Sequence, residues 1–181
     1  MAYAVIRTDL MSGTKQPADL VSLRFYDASG NKAEVENGVI VKLQGYEDGE
    51  REVMKAVAAS AGDDLNDCAI VAAPEVMYDE RKKNLDEFIN EAGKATRGYI
   101  PRSRNVFSVT KEGFVGGTVP TKGAEVGIGT GGKIDAAGKG LGVCADVEVV
   151  GRYTYYVIKI GKTEGACLLY TSPSPRDPKT S

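Results

Sequence analysis

A chain of 181 residues with 42% hydrophobic and 27% charged residues can bury a sizeable core within a single domain. It contains no histidine, which removes Ser-His and Cys-His nucleophilic pairs and imidazole metal sites. A formal charge of −2 with no Lys/Arg-rich run argues against nucleic acid, and neither an 18-residue apolar run nor a cationic leader argues for a membrane span or a secretory signal.

The first stretch, "MAYAVIRTDLMSGTKQPAD", is short on apolar pattern after Ile6 and contains Gly13 and Pro17. Residues 1–19 therefore read as an extended arm lying on a surface, one whose removal leaves the body folded. "LVSLRFYD" (20–27) alternates with the period of a half-buried strand and is closed by the turn "ASGNK". "GVIVKLQGY" (38–46) and "EREVMKAVA" (50–58) flank Glu47, Asp48 and Gly49 as a hairpin. "CAIVAAPEVMY" (68–78) contains a strand that reads as buried and ends at Pro74.

The spacing of Leu85, Phe88, Ile89 and Ala92 predicts an amphipathic helix within 79–93, with Asp79 or Asn84 at its start and Gly93 at its end. Strand character returns at 105–110, 124–128, 141–150 and 152–160. From the residues alone, the fold class is α+β and mainly β: a small antiparallel barrel or sandwich with one short helix, its domain running from 20 to 165. The 22 glycines fit many tight turns.

From Cys167 the chain turns Ser/Pro-rich without periodicity, and "CLLYTSPSPRD" resembles the translation of a transposase adapter used in sequencing libraries. Residues 166–181 are read as a non-native tail expected to be disordered, and Cys167 carries no functional weight. Cys68 and Cys144 are far apart and lack a C-x-x-C partner, so buried free thiols are expected in place of a disulfide or zinc site.

"GIGTGGK" (127–133) fits G-x-G-x-x-G and most of a Walker A loop. The phosphate mechanism needs a helix immediately after the glycines, and "IDAAGKGLG" brings three more glycines instead. Ile134 also stands where a Ser or Thr would reach magnesium, so the loop reads as a hairpin turn, with a nucleotide or small-ligand module as the alternative. The pairs Asp63–Asp64, Glu75–Asp79–Glu80 and Asp86–Glu87 leave a second alternative, a carboxylate-based hydrolase on a β-barrel, though sequence neighbours do not establish facing carboxylates. No catalytic residue, cofactor or metal site is assigned.

Segments 1–14, 37–56, 74–99 and 142–160 together resemble in layout the capsid decoration, or cement, proteins of tailed phages. That resemblance implies a β-barrel or β-tulip body on the exterior of the virion, made in the host cytoplasm and holding major capsid protein subunits together, with an arm reaching a neighbour. It implies no enzymatic activity. Its partners would be the major capsid protein and further copies of the chain, a trimer among the assemblies this allows, with neither nucleic acid nor membrane. Residue type and expected exposure nominate Arg7, Leu10, Met11 and Lys15 in the arm, and Tyr78, Arg81, Arg97 and Tyr99 as a second contact patch.

Overall fold

A computed structural model describes residues 2–12, 19–77 and 84–161. Five strands close a barrel: β1 (Leu20–Tyr26), β2 (Ile40–Tyr46), β3 (Val53–Ala58), β4 (Cys68–Val71) and β5 (Thr96–Tyr99), in the order β1-β3-β2-β4-β5. All neighbours are antiparallel except β1 and β3, which run parallel. A second, antiparallel sheet contains β6 (Val106–Val109), β7 (Glu125–Ile128), β8 (Ile134–Asp135), β9 (Gly140–Val150) and β10 (Tyr153–Ile160), in the order β6-β10-β9-β7-β8. The chain is thus mainly β, as expected.

The apolar run "CAIVAA" is explained by β4 having no solvent face. Ala69 and Val71 point into the barrel with Leu23, Val39, Val41 and Ala56. Cys68, Ile70 and Ala72 point the other way, into a cluster with Phe107, Val109, Phe114, Ile134 and Ile158. A strand covered on both faces reads as continuous hydrophobicity, whereas β1, covered on one, alternates. Strand β2 divides similarly, Val41 facing the barrel core and Ile40 the cluster shared with the second sheet.

The expected helix does not form over the described part of its span. Residues Leu85–Glu87 make one 3-10 turn with a capping box at Asn84, after which Phe88 is extended and Asn90 bridges to Val35. Helical spacing of Phe88, Ile89 and Ala92 lost to tertiary pairing. Asn90 also receives the Thr96 hydroxyl at 2.6 Å and donates to the Val35 carbonyl at 2.9 Å, so the extended chain satisfies buried polar groups that a helix would have turned away.

The arm is the second correction. Ala4, Val5 and Ile6 are 2% exposed or less, and the segment lies along the free edge of β6. Arg7 N–H donates to Ser108 O at 3.0 Å, Thr110 N–H to Val5 O at 3.0 Å and Ser12 N–H to Val106 O at 2.8 Å. Residues 4–12 therefore run along the edge of this chain's own sheet, bonded to it through an isolated bridge between Ile6 and Val109 and the three backbone hydrogen bonds above. Residues 13–18 and the tail beyond 161 lie outside the described residues.

A candidate partner-binding edge

Strand β9 is longer than what covers it. Along one side β10 accompanies it from Gly142 to Val150. On the other, β7 reaches Val143, and two further backbone bonds carry the pairing to Cys144: Gly123 N–H to Cys144 O at 2.7 Å and Cys144 N–H to Ala124 O at 2.9 Å. From Asp146 to Val150 no described strand pairs with that outer side. Among the described residues, the β9–β10 hairpin leaves that edge without a partner strand, and of its backbone donors Val147 N–H is taken by the Asp146 side chain.

Its two faces differ. Tyr155 lies opposite Glu148 and Tyr153 opposite Val150, and this face is braced from within the chain. The Arg7 guanidinium sits 5.6 Å from the Tyr155 ring centre and pairs with Asp9 at 2.7 Å and Glu148 at 3.4 Å. Arg152 stacks 4.8 Å from Tyr153 and pairs with Asp86, whose carboxylate also accepts from the Tyr153 hydroxyl at 2.9 Å. The other face carries Val147 opposite Tyr156 and Val149 opposite Thr154. Val149 is 74% exposed and Val147 40%.

At the base of the open edge, Asp146 accepts from Val147 N–H and from Lys122 Nζ, both at 2.9 Å. Lys122 holds its carboxyl below the ordinary range, so it stays an ionised acceptor. A half-apolar edge of this kind can receive an extended segment through main-chain hydrogen bonds. The signal available in the sequence was "VEVV" beside a Gly-Arg turn, a valine alternation extending a strand that its neighbours do not match in length.

The described nominated contact residues differ in exposure. Leu10 is 57% exposed, while Arg7 is engaged in the bracing just described. Met11 and Tyr99 are 8% and 7% exposed and belong to the core, so neither presents itself to a partner. Arg97 is exposed on β5, the strand closing the barrel. Lys15, Tyr78 and Arg81 lie outside the described residues. Of the nominated residues that are described, Leu10 and Arg97 are exposed, Arg7 is braced within the chain, and Met11 and Tyr99 are buried.

The glycine-rich loop is a hairpin between β7 and β8, with a 3-10 turn at Thr130–Gly132 and no helix after it. Lys133 Nζ is held by Glu36 at 3.2 Å and by Glu112 O at 2.9 Å, tying the hairpin to the loop before β2. The acidic pairs are dispersed as well. Asp63 holds Lys42 at 2.6 Å, Asp64 caps Asn66, Asp86 holds Arg152 and Glu87 accepts from Asn84 N–H; Asp79 and Glu80 lie outside the described residues.

Both Cys68 and Cys144 are free and buried. Burial pushes the Cys68 thiol up to about 11. Among the described residues, no group of three or more acidic or cysteine side chains could hold a metal. A surface groove of about 580 Å³ runs over the barrel beside Tyr26, Gln44, Lys55 and Val57. Two of its polar groups are committed, the Tyr26 hydroxyl to Glu47 at 2.6 Å and Lys55 Nζ to Asp48 at 2.8 Å.

No known protein family, no curated protein and no solved structure matches this chain.

Proposed function

We propose that this chain is a structural protein of a tailed-phage virion, a capsid decoration protein that binds the major capsid protein from outside through the open edge of β9. The observation that carries this reading is the stretch Asp146–Val150, whose outer side no described strand pairs, with Val147 and Val149 turned to solvent. The layout resemblance of the sequence supports the class of partner. Such a protein acts by burying surface across several shell subunits against the pressure of packed DNA, and repeated copies add avidity. No reactive side chain and no cofactor takes part.

The contact moves from the arm to the hairpin. Residues 5–7 and 12 of the arm are already bonded to β6 and its flank, whereas β9 has an edge that no described strand pairs. The test is co-sedimentation of the purified protein with undecorated capsid shells. Replacing Val147 and Val149 together by lysine should leave the melting temperature within a few degrees of the parent and reduce shell binding at least about tenfold, the loss expected when an edge is blunted by charge. Undiminished binding by that double variant would exclude the edge, and no binding by the parent chain would exclude the capsid.

A further inference from the structure

We propose that Asn37–Gly38 is a masked deamidation site: the fold locks both reacting groups, and opening of the loop before β2 turns Asn37 into aspartate or isoaspartate and so blocks return to the original packing. This is independent of what the protein binds.

The chemistry needs the Gly38 nitrogen to reach the Asn37 side-chain carbonyl carbon. A base removes the Gly38 N–H proton, and a bond forms from that nitrogen to Cγ. The Cγ–Nδ2 bond then breaks, and ammonia leaves with a proton. Water adds to either carbonyl of the resulting cyclic imide, giving aspartate or isoaspartate, with no change of oxidation state. Glycine as the following residue favours the step because no Cβ obstructs the attack.

In the folded chain every participant is held. Asn37 is fully buried. Its Nδ2 donates to Ala73 O at 2.9 Å and to Glu75 Oε1 at 3.3 Å, and its Oδ1 accepts from Ala73 N–H at 3.0 Å and from Asn90 Nδ2 at 3.1 Å. The attacking nitrogen is occupied too, since Gly38 N–H donates to Val71 O at 2.7 Å. Gly38 sits at φ 83° with its missing Cβ position 2.9 Å from Val109 Cγ2, so no other residue fits there easily. Position 38 must be glycine for the fold, and that same glycine makes Asn37 reactive whenever the fold lets go.

The product does not fit the site. An aspartate at 37 would turn a carboxylate oxygen toward the Ala73 carbonyl and the Glu75 carboxylate, replacing two donated bonds with two repulsions in a place without water access. Isoaspartate would also lengthen the backbone by one atom between Asn37 and the Gly38–Val71 bond.

The full chain would be held at mildly alkaline pH, folded or in urea, and its peptides followed by mass and by isoaspartate content. Reaction at Asn37 should be at least about tenfold slower in the folded protein, since it must wait for local opening. In urea it should outpace reaction at Asn31 and Asn66. Equal rates folded and unfolded, or a faster Asn31 or Asn66 in urea, would overturn the proposal. Asn37→Asp should lower the melting temperature, and adding Glu75→Gln, which turns a repelling oxygen into a donor, should recover part of that loss. Loss of the asparagine amide alone predicts no recovery, and none being seen would refute the stated reason for the block.

Discussion

Gly132 shows how a residue selected by the fold imitates one selected by a ligand. It adopts φ 73°, and a Cβ there would lie 2.1 Å from the Ile40 carbonyl oxygen, so the β7–β8 turn passes against β2 with no room for a side chain. Gly132→Ala is expected to cost about 2 kcal/mol or more, combining left-handed strain with a backbone clash. A urea titration would read it as a lower midpoint at unchanged slope. Lys133, beside it, has its ammonium engaged by Glu36 and the Glu112 carbonyl. ATP at saturating concentration is accordingly expected to leave the melting temperature of the parent chain unmoved.

The arm and the β9–β10 hairpin carry the consequences at the scale of elements. The arm bridges to β6 at Ile6 and places Ala4, Ile6 and Met11 in the cluster under the second sheet. Ile6→Ala should therefore cost about 2–4 kcal/mol, as in other large-to-small core changes. Removing residues 1–11 should lower the denaturation midpoint sharply, where a loose surface arm would leave it unchanged. Along the rest of the second sheet, covered stretches are apolar on the inner face, while the β9 stretch beyond Cys144 keeps valine on a face that none of the described residues covers. That mismatch between strand length and partner length is what distinguishes the hairpin as an edge for another molecule.

For the whole molecule, stability should fall toward both extremes of pH. Lys42, together with the Ser60 N–H, holds the Asp63 carboxyl below its ordinary 3.8, and the Tyr26 hydroxyl holds Glu47 below 4.5. Groups whose folded value is depressed contribute above the ordinary value, and that contribution is lost as pH falls through the lower folded value. The melting temperature should thus decline from about pH 4 downward, and Asp63→Asn should decline less. Cys68 works in the opposite sense. Its burial raises the folded value from 9.0 to about 11, so its contribution is complete below 9 and disappears as pH rises toward 11. In that window Cys68→Ala should lose less stability than the parent; equal losses would mean that the thiol is not what titrates.

Much of this was legible in the residues. Alternation placed β1, β2, β3, β6, β7, β9 and β10 and the hairpin between β2 and β3, because side-chain period and turn chemistry are local properties. The buried thiols and the hairpin reading of "GIGTGGK" rested on equally local grounds. The barrel's closing strand, β5, was not visible: "TRGY" is too short and too mixed to alternate, and it becomes a strand only because β1 and β4 stand on either side to bond it. Phe88 and Ile89 had helical spacing that the Asn90–Val35 pairing overrode. Met11 and Tyr99 looked available and are buried, since exposure depends on which distant segments cover a residue. The sequence by itself determined the β character and the turns; only tertiary structure decided which edges are closed and that no described strand reaches the outer side of β9 beyond Cys144, because an edge exists only relative to the strands that reach it.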